Sequence, residues 1–138
     1  MGTVIRADLS RKNKWWIPKH RYYELKHFCM QYPDWKRERQ ALNAYGSTST
    51  ELILSENGGF GRPTESVADR MTYFGKRIEM VERAAKLTDD CIGDYVLQAV
   101  IQGISYDILY TRRPIPCCRE IYYELYRKFF YILNGLRE

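Results

Sequence analysis

Histidine is scarce in this chain: His20 and His27 are the only two in 138 residues. They share a helix face from which Cys29 is displaced, so a metal ion would find no convergent set of three or four ligands. The four cysteines, Cys29, Cys91, Cys117 and Cys118, show no Cys-x-x-Cys spacing, and the adjacent pair is too close for an ordinary disulfide. They read as reduced thiols, which points to the cytoplasm. Cys91 and Cys118 have no histidine nearby in sequence to activate them, so buried, unreactive thiols are expected.

Long apolar runs are also missing. None follows the N-terminal charges and none approaches the length of a bilayer span, so neither a signal peptide nor a membrane association is expected. The opening Met1-Gly2 places Arg6 where N-myristoylation wants serine or threonine. Gly58, Gly59 and Gly61 lack the Gly-Lys-Ser/Thr ending and the preceding strand of a phosphate loop, and read as a flexible turn. The carboxylate pairs Glu79/Glu82 and Asp89/Asp90 suit helix surfaces and caps better than acid–base chemistry. These absences exclude the familiar catalytic constellations. The expectation is a protein that is not an enzyme and needs no cofactor or metal.

What the chain does contain is apolar residues at 45%, charged residues at 28% and twelve tyrosines, enough for one compact core. Its net charge of +5 is unevenly spread. Residues 1–45 carry ten Lys or Arg against four Asp or Glu, residues 46–103 six against nine, and residues 104–138 six against four. Both ends are basic, so a polyanion would meet them first.

The apolar spacing is helical throughout, which predicts an all-α protein: a small helical domain with an N-terminal helical hairpin and a C-terminal helix-turn-helix. Residues 1–17 read as a basic arm in which Arg11, Lys12 and Lys14 are positioned to contact DNA. In the run Lys14-Trp15-Trp16-Ile17-Pro18-Lys19, cations alternate with aromatics able to stack on bases, although Trp16 and Ile17 also suit a hydrophobic staple at a helix start. Residues 18–45 form the hairpin, its first helix opened by Pro18 and ended by Pro33, its second running from Asp34 to about Tyr45. Residues 46–63, rich in Gly, Ser and Thr, form a flexible connection. Residues 64–138 are the helical core.

Within that core, Val67, Met71, Phe74, Ile78, Val81 and Ala85 recur in alternating steps of four and three along helix 64–87, with Thr64 as its cap. The stripe reads as an intramolecular core face, with a homodimer seam as the second reading. Gly75 within it suggests close approach of another element or a tolerated glycine. Thr88 with Asp89 and Asp90 is expected to cap the next helix, whose stripe is Ile92, Val96, Ala99 and Val100 and which Gly103 closes.

The segment from Ile104 to Leu133 carries the functional signal. Ser105 caps a short helix with Ile108 and Leu109 inward. Arg112, Arg113 and Pro114 end it, Ile115 is buried between the helices, and Pro116 precedes a second helix from Cys117 to Leu133. On a helical wheel Cys118, Ile121, Tyr122, Leu125, Phe129, Ile132 and Leu133 form the apolar face, while Arg119, Tyr123 and Arg127 repeat every four residues on another. Arg119, Tyr123 and Arg127 would read or grip a groove of double-stranded DNA. Arg112, Arg113 and Lys128 would hold the backbone, helped by the free N–H groups at the helix start, and Ser105 and Tyr106 complete the DNA-binding set.

The unit Gly103-Ile104-Ser105-Tyr106, a short helix, Ile115-Pro116 and Tyr122-Tyr123-Glu124-Leu125-Tyr126-Arg127-Lys128-Phe129-Phe130 resembles phage transcriptional regulators of the RinA and ArpU type. Residues 17–29 are similar to the start of prophage proteins from Firmicutes. The resemblance implies a DNA-binding unit like region 4 of sigma factors, activation of late phage genes and contact with host RNA polymerase. Cys117 and Cys118 stand where such regulators often carry a Ser or Thr cap. Two further readings come from other classes. One is a phage inhibitor of a host protein such as a nuclease or a CRISPR-type defence effector, using the aromatic N-terminal hairpin as its contact face. The other is the DNA-recognition subunit of a small terminase.

Overall fold

A computed structural model describes residues 13–48 and 63–137, and every regular element among them is a helix. In order these are α1 (Lys19–Met30), α2 (Tyr32–Thr48), α3 (Pro63–Thr88), α4 (Gly93–Gln102), α5 (Tyr106–Arg112) and α6 (Arg119–Arg137). None of them is long and apolar enough to cross a membrane. Arg11 and Lys12 of the expected arm lie outside the described residues, as does most of the 46–63 connection. At its edge the helix outlasts the expectation: α2 continues through Gly46, Ser47 and Thr48.

The chain divides into two compact units. One holds the described residues of Met1–Gln31 and Met80–Glu138, the other Tyr32–Glu79. The two helices expected as an N-terminal hairpin therefore fall on different sides of a boundary between Gln31 and Tyr32. In the smaller unit Pro33 sits in the first turn of α2, where its missing N–H costs nothing, and Trp35, Leu42 and Ile78 are buried. Its surface is laced with charge: Arg37 pairs with Asp34, and Arg70 with Glu38 at 3.7 Å. A Cβ on Gly75 would lie 4.0 Å from the flexible end of Arg39, an ordinary contact, so this glycine is tolerated rather than required.

The larger unit is built on α6. Tyr122, Tyr123, Tyr126, Phe129, Phe130 and Leu133 are all buried along it, and α1 and α4 pack on it and on each other. From α1, Tyr22 enters this aromatic ridge with its ring 5.0 Å from Phe130 and its hydroxyl 2.8 Å from that of Tyr126. Leu25, Cys29, Val96 and Val100 complete the core. Burying side chains of this size stabilises the fold by about 1.5–3 kcal/mol each, so the ridge dominates the unit.

This core face differs from the expected one. Ile121 is 53% exposed and Cys118 is exposed, while Tyr123, Tyr126 and Phe130 are inside. At 100° per residue the observed face is turned by roughly 80° from the one read off the wheel. The reason is compositional: Ile121, Tyr122, Tyr123, Leu125, Tyr126, Phe129, Phe130, Ile132 and Leu133 surround most of the helix, so its partners choose which arc to bury.

The chain reversals are set by backbone approach and caps. Thr88 is the last residue of α3, its hydroxyl donating to the Ala84 carbonyl at 2.7 Å, and it does not cap α4 as expected. Asp89 instead secures the turn that leads into α4, its Oδ2 accepting from the N–H groups of Cys91 at 2.9 Å and Ile92 at 2.7 Å, and no side chain caps α4 itself. Gly93 follows, where a Cβ would stand 2.0 Å from the carbonyl oxygen of Ala85. Gly103 closes α4 in the left-handed conformation at φ 67°, as its position suggested.

Two expectations follow. Gly93→Ala cannot be relieved by a side-chain shift, because the obstacle is backbone, so it should lower stability by about 3 kcal/mol or more in urea unfolding. The hydroxyl of Tyr122 is buried without a hydrogen-bond partner among the described residues. Tyr122→Phe should therefore raise stability by about 1 kcal/mol, some 3–4 °C in Tm, whereas Tyr126→Phe, which removes the bond to Tyr22, should lower it by a similar amount.

Candidate functional site

The segment from Ser105 to Lys128 forms a short helix, a turn and a long helix whose joints are individually secured. Ser105 accepts from the N–H of Ile108 at 3.3 Å and so starts α5 as a serine cap does. Leu109 is fully buried, but Ile108, expected beside it in the core, is 45% exposed. The turn is pinned by Ile115, which is buried, and by the Cys117 N–H donating to the Ile115 carbonyl at 2.8 Å around Pro116. Helix α6 begins at Arg119, two residues later than expected, and the Cys118 carbonyl accepts the N–H of Tyr122.

Tyr106 ties the two helices together. Its hydroxyl donates to the Cys117 carbonyl at 2.8 Å, its N–H donates to the Tyr123 hydroxyl at 3.1 Å, and its ring lies 5.1 Å from that of Tyr122. Loss of water, and then the neighbouring Cys117 and Tyr110, push its ionisation above the ordinary range. Tyr106 and Tyr123 are thus structural at this joint. Tyr123, expected to project outward between Arg119 and Arg127, is buried, because the core face turned toward it.

The expected cations do not share one face. Arg112 and Arg113, both exposed, flank the end of α5. The Arg112 guanidinium donates to Gln102 at 3.1 Å, and that of Arg113 donates to Gln98 at 2.7 Å while stacking 3.9 Å over the ring of Tyr95. Arg119 pairs with Asp107 from α5, with both side chains about half exposed. Arg127 is mostly covered along the helix, its guanidinium 3.8 Å from Glu124 and donating to the Tyr123 carbonyl. Lys128 is nine residues beyond Arg119, two and a half turns, and so lies on the opposite side of α6. There it meets Lys14: their ammonium groups lie 5.6 and 5.0 Å from the ring centre of Trp15. The structure therefore brings Ser105, Tyr106 and Arg119 to the start of α5, holds Arg112 and Arg113 at its end against α4, and sets Lys14 and Lys128 apart beside Trp15.

The polar residues Tyr95, Gln98 and Gln102, which hold the two arginines, were not anticipated. Their spacing of three and four along α4 was legible as a helix face, but only the reversal at Gly103 brings Arg112 and Arg113 back beside it. In the smaller unit a groove of about 440 Å³ is lined by Lys36, Arg39, Gln40, Asn43 and Met71. Among the described residues its lining contains no serine, cysteine, histidine or carboxylate. Among the described residues no group of histidine, cysteine and carboxylate side chains could hold a metal ion.

No protein-family model matches the chain, and neither a curated protein nor a solved structure is similar to it.

The thiols separate by environment. Cys29 is buried and its thiol is pushed well above the ordinary range by desolvation, against a smaller opposing pull from Arg137. Cys117, half-buried in the turn, is raised first by burial and then by Cys118, Asp89 and Cys91. Cys91 and Cys118 are exposed, contrary to the buried thiols expected. At neutral pH an aromatic disulfide reagent should therefore modify Cys91 and Cys118 rapidly and Cys117 more slowly, with a rate that climbs at higher pH than for a free thiol. Cys29 should react only after denaturation, and mass mapping of each labelled peptide checks this order.

Proposed function

We propose that the chain is a DNA-binding regulator that grips double-stranded DNA at the α5–α6 turn, in keeping with its resemblance to late regulators of phages. The two helices act as a helix-turn-helix, with α6 as the helix set toward the major groove. The observation that carries this reading is that Arg112, Arg113 and Arg119, which flank the α5–α6 turn in sequence, each present an exposed guanidinium held by an amide or an exposed carboxylate. Gln102 and Gln98 fix the first two without neutralising them, so their charge is presented already ordered to a phosphate. The pair between Arg119 and Asp107 is exposed to water and salt, and a phosphate or a guanine edge can replace Asp107 as its partner. Tyr106 and Tyr123 serve by locking the two helices together. Arg127, covered by the helix itself, plays no part in the grip.

A second reading draws on the outer face of α6, where Ile121 is exposed beside Glu120 and flanked by the partly exposed Glu124. Two carboxylates and an isoleucine suit a protein surface better than a phosphate backbone. A host protein such as RNA polymerase, engaged while the turn holds DNA, fits that face. So does the host target of a phage inhibitor.

Binding to duplex DNA, measured by anisotropy across a salt series, tests the first reading. Arg113→Gln should weaken all sequences alike and lower the salt slope by about 0.9, the share of a single neutralised phosphate. Arg119→Ala should weaken the preferred site roughly tenfold and narrow its margin over other sequences. A genomic binding map in the host supplies that site. Unchanged affinity and slope in both variants would refute the assignment.

A further inference from the structure

The second cluster of cations, on the far side of α6, has a construction of its own. Asn13 organises it: its side-chain oxygen accepts the Trp15 N–H at 2.8 Å and its carbonyl accepts the Trp16 N–H at 3.0 Å, a tight turn just before the buried Ile17. This places the Trp15 ring against α6, edge-on to Tyr131 with centroids 5.3 Å apart. Helix α1, which follows, is held to α6 by Tyr22 on Tyr126 and by Arg21 donating to Asn134, so the turn is fixed relative to the helix. Lys14 and Lys128, 114 residues apart in sequence, then converge on the one ring.

Two ammonium groups drawn to one tryptophan repel each other, and among the described residues neither has a carboxylate partner. The ring face attracts both cations but neutralises neither. Tyr131 lies next to them and is 45% exposed. Unneutralised cations beside an exposed aromatic ring match a ligand that alternates phosphate with a planar base. A duplex satisfies only half of this chemistry, since its bases are stacked on one another and present no free face to Tyr131. A single strand satisfies both halves.

We propose that Lys14, Trp15, Lys128 and Tyr131 form a binding site for single-stranded nucleic acid, with the two lysines on the backbone and a base stacked on Tyr131. The site is separate from the α5–α6 turn and does not depend on the duplex reading. A chain that holds a duplex on one side of α6 and a single strand on the other can stay bound where DNA is being opened, or bring a transcript to its template.

The test uses the full chain and a fluorescein-labelled oligothymidylate of about 16 nucleotides, long enough to span such a site. Wild type should bind it, and Tyr131→Ala should weaken binding roughly tenfold or more. Tyr131→Phe, which keeps the ring, should restore it. The double variant Lys14→Gln/Lys128→Gln alters only side chains at the surface and should lower the salt slope by about 1.4, roughly 0.7 for each single-strand phosphate that is no longer neutralised. Arg112→Gln/Arg113→Gln should leave oligothymidylate binding intact, and the lysine variant should leave duplex binding intact. Failure of wild type to bind the oligonucleotide would overturn the proposal. So would an unchanged slope in the lysine variant, or an equal loss in the arginine variant, which would mark a diffuse attraction to positive charge. If Tyr131→Ala loses helicity by circular dichroism, the lysine variant and Tyr131→Phe decide the matter without it.

Discussion

The hydroxyl pair between Tyr22 and Tyr126, set within the aromatic ridge of α6, is the interaction on which the larger unit turns. A buried phenol must find a partner or pay for its lost water, and here two phenols from helices distant in sequence satisfy each other. The bond forms in the one rotation of α6 that buries the aromatic ridge, and that rotation sets every outward position on the helix. With Tyr126 facing α1, Tyr123 turns toward the Tyr106 N–H, Arg119 comes within reach of Asp107, and Lys128 swings to the side where Trp15 stands. A rotation of one residue would undo all three.

Close backbone approach supplies the second constraint. Gly93 lies against the Ala85 carbonyl, an approach no side chain survives, and this draws the end of α3 onto the start of α4. Gly103 then reverses the chain, Ser105 restarts it as α5, and Ile115 anchors the next turn. Three short connections in succession leave α5 little freedom. Arg112 and Arg113 are consequently returned beside Gln98 and Gln102, one helix earlier in the chain. Exposed arginines are ordinarily mobile and lose much entropy when they bind. Here part of that ordering is already present in the fold, through an amide for each and a tyrosine face beneath Arg113.

The positive charge is organised rather than spread. Around the α5–α6 turn it is carried by arginines, whose planar guanidinium groups suit directional contacts with phosphates and base edges. Across α6 it is carried by two lysines around an indole, compact charges suited to a backbone that moves. Ile121 and Glu124 lie seven and four residues before Lys128 and so share its side of the helix, which limits any continuous polyanion track along that face. The contrast in residue type suits the two partners proposed for them, a duplex of fixed shape and a flexible strand.

The sequence alone determined the helices. Period-3.6 spacing, the Ser105 and Gly103 signals and the prolines at positions 33 and 116 are local features, and they located the elements to within a few residues. The role of Ile115 was equally legible, because an isoleucine between two prolines at a turn has one apolar place to go. What only the tertiary structure decided was rotation and neighbourhood. A helix with tyrosine, phenylalanine, leucine and isoleucine around most of its circumference can bury any of several arcs at similar gain in apolar area, so spacing could not choose between Ile121 and Tyr123. Packing against α1 and α4, with the Tyr22–Tyr126 hydroxyl pair and the Tyr106 N–H on Tyr123, goes with the arc that is buried, and these contacts exist only when the helices pack together. For the same reason the cations themselves could be read from the chain, but not the separation of Lys14 and Lys128 from Arg112, Arg113 and Arg119.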